Sequence, residues 1–538
     1  MIRALRTLIA LCLILSLMLS VSLNAFAEIV DIRGHWAESM IENTVNRGIL
    51  TGYPDGTFKP DNPMTQAEFF ALVNRSFGFD KTAVYEYLSV SADKWYANEY
   101  KKAKAQGYLD LLEDSMVMPE EPISRQMVSA ILGKVLKLHP DESIANGFSD
   151  FAHFEPWAKG LSGAVAGFGY MNGYQDNTFR PKTNISRAEV STILHRVIGE
   201  LYDKAGIYGD EQTITRIKGN VTIINPGITL KNMVIEGNLY LTEGIGDGTV
   251  ILDRITVTGT TTISGGKKGI FLRDSSLGEV VISTYDDSGI YLAAQGGSKV
   301  GAVRVQTAAK LEETDLTGSG FGEVILSAPD SGIVELAGDF ERVEIKEALS
   351  NISVLGGTIK LLEVNGKDTA IKIDKSVRIE TLTINQPAKI TGDCYIGTAN
   401  INSSNVSVDA RPRIVNTATG LINVYCTAYK AAKSTSGGGG GGGGGRSGGG
   451  GSGGGGGGTI SVTLKSVESL GTKTVDNGTA KADIGLPASV GIVLSDGRNE
   501  SADVTWDDGL PAYDGGKAGT YVFLGTLKMP AGVTNTKG

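Results

Sequence analysis

A segment near the N-terminus recurs three times, and this repetition constrains the fold more than any other feature of the chain. The first copy reads VDIRGHWAESMIENTVNRGILTGYPDGTFKPDNPMTQAEFFALVNRSF, and the third reads FSDFAHFEPWAKGLSGAVAGFGYMNGYQDNTFRPKTNISRAEVSTILHRVI. A degenerate copy between them keeps DKWYANEYKKAKAQGYLD and ISRQMVSAILGKVL. Trp36, Trp95 and Trp157 mark one shared position, and Thr65, Ser124 and Ser186 mark another. Both series step by 59 and then 62 residues, which fixes the register.

Each copy reads as helix, loop, helix. Ala37, Met40, Ile41 and Val45 fall at helical spacing, and Gly48 stops that helix just past its C-terminus. Tyr53-Pro54-Asp55-Gly56 is a tight turn, in which proline fixes one dihedral and glycine supplies a positive φ. Thr65-x-x-Glu68 is a capping box opening a second helix, where Phe69, Leu72 and Val73 repeat the apolar face. In Ser186-Arg187-Ala188-Glu189 the serine and glutamate are cap and cap partner. Arg187 sits in the first turn, where a cation opposes the helix dipole by roughly a few tenths of a kcal/mol or more. A residue placed against local preference is a functional candidate; the alternative is a solvated surface arginine.

GHWAESMIENTVNRGILTGYPDGTFKPDNPMTQAEF resembles an S-layer homology repeat, and three in tandem over roughly residues 28–200 resemble that family's anchoring unit. The resemblance implies a pseudo-trimeric helical domain with ligand grooves between neighbouring repeats. It implies a secondary cell-wall polysaccharide bearing a pyruvate ketal as partner, with the arginine of a Thr-Arg-Ala-Glu motif in the groove. A planar guanidinium suits a carboxylate in bidentate fashion. Polysaccharide binding is thereby expected of Arg187 and Arg125, with Asp150, Trp157, Gly173 and Asp176, and Asp31, Trp36, Gly52 and Asp55. Thr65, Glu68, Ser186 and Glu189 are the expected helix caps.

The copies depart from the pattern unequally. The first has Gln66 where arginine is expected. The second keeps Arg125, but loses the Gly-Tyr-x-Asp-Gly turn and has Met127 in place of the capping glutamate. The third alone has both the arginine and most of the turn, in Gly173-Tyr174-Gln175-Asp176-Asn177. The expectation is that Arg187 dominates, Arg125 assists and the first repeat is mainly scaffold.

From about Ile214 the texture changes to short β-branched runs broken by Gly, Asp and Asn. Apolar pairs recur as Val250/Leu252, Ile270/Leu272, Ile290/Leu292, Val334/Leu336, Ile352/Val354 and Ile371/Ile373. A second series interleaves through Val280/Ile282, Val303/Val305, Val324/Leu326, Val343/Ile345, Leu362/Val364 and Leu382/Ile384. Each steps by around twenty residues, the length of one solenoid coil. Turns at Asp247, Asp287, Asp330 and Asp368 line up with them. A parallel β-helix with a narrow apolar stack fits this pattern, and an antiparallel β-sandwich is the rival.

Glycan-cleaving β-helices need paired carboxylates, or carboxylates with a base, projecting from one face. Asp286-Asp287 and Asp253-Arg254 are the nearest approaches, and turn aspartates capping backbone N–H groups explain them more simply. All four histidines (His35, His139, His153, His195) precede the solenoid, which excludes histidine-based catalysis or zinc binding there. No calcium-type Gly-Gly-x-Gly-x-Asp repeat is present, and no metal or cofactor is expected. GTVILDRITVTGTTTISGG and GFGEVILSAPDSG resemble repeats found behind S-layer homology domains in large surface proteins, which implies a display rod.

The flanks read as an exported chain. Arg3 and Arg6, the apolar run Leu8 to Leu19 and Ala25-Phe26-Ala27 make a cleavable secretory signal, against the rival of an uncleaved anchor. Cys394 and Cys426 then remain, too few for a disulfide scaffold. The net charge of −9, or −11 without Arg3 and Arg6, disfavours nucleic acid. Gly437 to Gly458 is almost pure glycine, a composition expected to behave as a flexible coil. Beyond it, Leu486-Pro487, Val504-Thr505-Trp506-Asp507 and Gly519-Thr520-Tyr521 resemble a bacterial Ig-like domain, with Trp506 as core. The chain ends where one more strand is expected, so this domain reads as truncated.

The expected architecture is multidomain. A signal peptide (1–27) precedes repeats at 28–79, 80–140 and 141–203, which form an α-helical pseudo-trimer. An all-β parallel β-helix (212–430), a glycine linker (434–458) and an Ig-like β-sandwich (459–538) follow. The expected function is non-enzymatic anchoring and display at the wall or S-layer of a Gram-positive bacterium. No membrane partner is expected after signal cleavage, and self-assembly into a surface layer stays open. The alternative is a wall-anchored polysaccharide lyase or glycoside hydrolase.

Overall fold

The structure is a computed structural model that describes residues 29–426 other than 85, 86, 88, 286–288 and 328–331. It also describes 462–534 other than 469, 471, 472, 497, 508–512, 518–520, 522, 524, 531 and 532. The signal segment, the glycine tract, Asp286-Asp287 and Asp330 lie outside the described residues.

Each repeat forms two helices. They are α1 (Glu38–Asn46) and α2 (Gln66–Phe77), α3 (Ala97–Ala105) and α4 (Arg125–Val135), then, after the short α5 (Glu142–Ala145), α6 (Pro156–Gly167) and α7 (Arg187–Ile198). Both sides of the capping box form at Thr65/Glu68 and at Ser186/Glu189. At α4 only the serine half survives, with Ser124 Oγ accepting from Met127 N at 3.4 Å. Among the described residues no helix is long and apolar enough to cross a membrane.

The residues just before the three second helices close a ring. Met64 N–H donates to Ile185 O (3.0 Å), Ile185 N–H to Ile123 O (3.1 Å) and Ile123 N–H to Met64 O (2.9 Å). All three side chains are fully buried. The free N–H groups that open each helix then turn to the next repeat. Gln66 and Ala67 donate to Glu121 O and Pro119 O, and Arg125 and Gln126 to Thr183 O and Pro181 O. Arg187 and Ala188 donate to Asn62 O and Pro60 O. Repeat one thus leans on two, two on three and three on one.

Helix α7 runs through Gly199 directly into a strand, Glu200–Tyr202, which pairs parallel with Val221–Ile223. A parallel β-solenoid of about 12 turns follows. One apolar column runs Ile223, Leu241, Ile263, Ile282, Val305, Leu326, Ile345, Val364, Ile384, Ile401, each paired with the next. Every member is buried, and each contributes about 1.5–3 kcal/mol relative to exposure. This is the second series expected from sequence. The first series slips once, because Ile270 pairs with Leu292 and not with Ile290. Parallel pairing throughout the column excludes the antiparallel sandwich for this segment.

Two features keep the coils in step. Glycines stack at one position of the coil, inside the strands Ser276–Ile282, Lys299–Val305 and Gly320–Leu326, where a Cβ on Gly301 would lie 2.6 Å from Gly278 O and one on Gly322 equally close to Gly301 O. Asparagines form a ladder at another, Asn385 Nδ2 donating to Asn365 Oδ1 (2.7 Å) and Asn402 Nδ2 to Asn385 Oδ1 (2.8 Å). Cys394 and Cys426 are unpaired, and burial pushes both thiols up to about 11.

A buried polar knot joins the helical domain to the first coils. Tyr170 and Tyr240 hydroxyls meet at 2.6 Å, and Asn220 Nδ2 donates to Tyr170 Oη (3.0 Å) and Val197 O (2.8 Å). Thr222 Oγ1 donates to Ile198 O at 2.8 Å, and Tyr240 belongs to the helical domain's own apolar core. The helical domain therefore covers the solenoid edge that would otherwise be an open template.

The C-terminal unit is a five-stranded sheet in the order Gly525–Lys528, Asn499–Trp506, Ser489–Leu494, Val462–Val467, Val533–Thr534. Only the last pairing is parallel. Leu464, Val490, Ile492, Leu494 and Ala502 form its core. Trp506 is half-buried, its indole N–H donating to Pro487 O at 2.7 Å.

Substituting Asn220 by Ala leaves polar partners of the knot unsatisfied. Denaturant unfolding should show a loss of about 1–3 kcal/mol, with helical and sheet signals shifting together. Unchanged stability would contradict the knot.

Candidate functional site

The inter-repeat junctions bring the sequence-selected residues into two clusters. The first starts from the turn after Gly52. Tyr53 N–H donates to Thr57 O at 2.7 Å, and a Cβ on Gly52 would lie 2.9 Å from that same carbonyl. Gly173 repeats this with Tyr174 N–H to Thr178 O at 2.8 Å. Asp55 closes its turn by accepting Thr57 N–H (3.0 Å) and Thr57 Oγ1, and Asp176 does the same with Thr178. These bonds, the threonine hydroxyl first, lower both carboxyls to about 2.

Past each turn stands a cation that the sequence reading missed. Lys59 and Arg180 adopt positive φ (56° and 57°), an uncommon conformation for residues with a Cβ. Asp31 fixes the first, its two oxygens accepting Phe58 N–H (2.8 Å) and Lys59 N–H (2.7 Å). Asp150 fixes the second through Phe179 N–H (2.8 Å) and Arg180 N–H (2.7 Å). Lys59 Nζ lies 4.5 Å above the Tyr53 ring, and the Arg180 guanidinium 4.0 Å above Tyr174. Their side chains are 41% and 47% exposed and pair with Asp55 and Asp176. The shared Phe-Lys/Arg-Pro triplet was the available signal; the second repeat reads Val117-Met118-Pro119 instead.

The motif arginines lie beneath. Arg187 is 3% exposed, donating from Nε to Phe58 O (2.8 Å) and from its terminal nitrogens to Thr51 O (3.0 Å) and Glu68 Oε1 (3.3 Å). Arg125, 4% exposed, donates to Phe179 O (2.9 Å), Asn172 O (3.1 Å) and Glu189 Oε1 (3.0 Å). Arg187 also lies 4.7 Å from the Tyr53 ring, and Arg125 4.7 Å from that of Tyr174. Glu68 and Glu189 serve twice, one oxygen capping the helix and the other accepting arginine and tyrosine. Burial raises both tyrosine phenols, which keeps them protonated donors.

Both motif arginines serve junctions between repeats. Arg187 is not a solvated surface arginine: its guanidinium is buried and committed to the chain. Arginine and turn do not pair within one repeat either. Arg187 docks on the turn of repeat one, and Arg125 on that of repeat three, so the first repeat supplies Thr51, Tyr53, Phe58 and Glu68 around Arg187.

At the remaining junction Gln66 Nε2 donates to Met116 O (3.2 Å) and Gln66 Oε1 accepts Met118 N–H (2.9 Å). Met118, 48% exposed, occupies the position of Lys59 and Arg180, and Met127 that of Glu68. This junction holds neither cation nor carboxylate at those positions. Trp36 and Trp95 are 64% exposed, whereas Trp157 is half-buried against Ala130, Ala158 and Leu161. Trp95 lines a groove of about 440 Å³ with Asn74, Arg75, Asp80 and Lys102. On the solenoid, Asp253 pairs with Lys231 (3.4 Å) and Arg254 (3.5 Å).

The two intact copies are S-layer homology domains, matched at residues 28–70 and 147–191, and a bacterial Ig-like domain (group 4) matches residues 471–529. Among relatives, the amylopullulanase of Thermoanaerobacterium thermosulfurigenes is 31% identical over 173 residues, 31% of this chain and 9% of that protein. The cellulosome-anchoring protein of Acetivibrio thermocellus is 28% identical over 156 residues, 27% of this chain and 34% of its own length. The chain thus spans about a third or less of either relative, and the enzyme-named relatives match its S-layer homology region only. A solved structure, chitinase ChiW from Paenibacillus sp. str. FPU-7, aligns over 43% of this chain and 20% of that one, at 26% identity and a TM-score of 0.27.

Replacing Arg187 by Ala unpairs two carbonyls and a carboxylate at a closed junction. Urea unfolding should show a loss of about 3–5 kcal/mol, and a loss under about 1 kcal/mol would refute the junction role. Because the Asp55 and Asp176 carboxyls are depressed from 3.8, their support is present above about pH 4 and lost as pH falls through about 2. Side-chain carboxyl NMR should find both midpoints near 2; midpoints near 3.8 would contradict the turn bonding.

Proposed function

We propose that this chain is an exported, non-enzymatic anchor and display protein of the cell surface, held non-covalently to a pyruvylated secondary cell-wall polysaccharide of a Gram-positive bacterium. The single observation that carries this reading is the pair of like-built junctions, each presenting an exposed cation stacked on a tyrosine above a buried arginine. A pyruvate ketal offers a carboxylate, and a fixed, half-exposed ammonium or guanidinium is its natural partner.

In this reading Lys59 and Arg180 take the ligand carboxylate. Arg187 and Arg125 are positioning residues that lock the turns, and Asp31 and Asp150 set the backbone beneath the cations. Gly52 and Gly173 let the turn close, and Asp55 and Asp176 orient the cations. Trp36 and Trp157 flank the sugar. Residues 1–27 direct export, and the glycine-rich 434–458 connects the solenoid to the Ig-like module. The ion pairs that engage Asp253 favour display over glycan cleavage.

Sedimentation with purified wall sacculi tests the reading. The K59A/R180A variant should bind at least about tenfold more weakly than wild type at unchanged stability, as expected for lost charge-assisted bonds. Sacculi stripped of pyruvate should bind wild type as weakly. Equal binding by variant and wild type would overturn the assignment.

A further inference from the structure

The solenoid carries a second cationic feature, remote from the anchor. Tyr395 opens the strand Tyr395–Ile401 and pairs in register with Arg378 of the strand Arg378–Ile384. The Arg378 guanidinium lies 4.0 Å from the Tyr395 ring centroid. Arg413, whose N–H donates to Ile396 O at 3.0 Å, places its guanidinium 5.2 Å from the same centroid. Both arginines are exposed. Their guanidinium carbons therefore lie within 9.2 Å of one another, the sum of those two distances.

This cluster differs from the solenoid's other stacked charges. Arg216, Arg254, Arg304 and Arg342 each have a carboxylate partner within ion-pair distance. Among the described residues neither Arg378 nor Arg413 makes an ion pair, and the Tyr395 hydroxyl makes no hydrogen bond. Two unneutralised guanidiniums on one ring are unusual in a chain whose net charge is −9. Mutual repulsion opposes the arrangement, and an anion bound between them would relieve it.

We propose that Arg378, Tyr395 and Arg413 form a binding site for an acidic polysaccharide. The ligand bears carboxylate or phosphate groups that the two guanidiniums clamp, with the tyrosine hydroxyl as a third donor. Nine inter-strand steps separate Ile223 from Ile401, which at about 4.8 Å each puts the site roughly 43 Å along the solenoid from the anchor. A polymer held there and another held at the repeats attach the rod at two points, and avidity follows from the linkage.

The test is calorimetric titration of the full chain with polygalacturonate and, separately, with polyglycerol phosphate. Binding to the first alone assigns a carboxylate ligand, and binding to the second alone a phosphate ligand. Either should weaken with salt and fall at least tenfold in R378Q/R413Q, while R378K/R413K keeps most of the affinity. Thermal melts of both variants close to wild type establish that the fold is intact. The inference is overturned if wild type binds neither polymer or if R378Q/R413Q binds as tightly as wild type. It is also overturned if K59A/R180A loses the polymer while R378Q/R413Q keeps it, because the binding then belongs to the anchor.

Discussion

Everything in the helical domain depends on the ring of backbone bonds among Met64, Ile123 and Ile185. A short helix–loop–helix unit leaves the first N–H groups of its second helix without partners. Cyclic order solves this three times, because each helix start meets carbonyls from the next repeat's loop. The same closure places every motif side chain against a neighbour's turn. At the junction with the degenerate second copy, the Gln66 and Ala67 N–H groups still donate to Glu121 O and Pro119 O, and the Gln66 side chain adds both a donor and an acceptor.

That closure divides the labour between buried and exposed cations. An arginine at the first helical position is unfavourable for an isolated helix, and the sequence signals this correctly. Its compensation is three hydrogen bonds and two aromatic faces inside the junction. A guanidinium so engaged shapes a site better than it receives a ligand. Lys59 and Arg180 instead stand half-exposed, stacked on tyrosines, paired with Asp55 and Asp176 and fixed from behind by Asp31 and Asp150.

Helix existence, capping boxes, turns and the parallel solenoid were all legible in the residues, because each is written in local spacing. The partner of Arg187 was not. Which turn it meets is decided by the cyclic order of repeats, a tertiary fact that no window around position 187 contains. Lys59 and Arg180 escaped notice because a basic residue before proline looks like an ordinary loop; only their positive φ and the aspartates behind them distinguish them. The slip that pairs Ile270 with Leu292 was hidden for a related reason, since two-residue shifts preserve the inward face.

The knot around Tyr170, Tyr240 and Asn220 makes anchor and rod continuous, so a load on the solenoid reaches the repeats through buried bonds. The proposed function turns on binding of the wall polymer by the two intact junctions. Hydrogen exchange of the full chain, with and without purified wall polysaccharide, tests it most directly. Within the helical domain, protection is expected only over residues 51–59 and 172–180, with the loop at 110–119 unchanged. Protection at 110–119, or none at either intact turn, would contradict it.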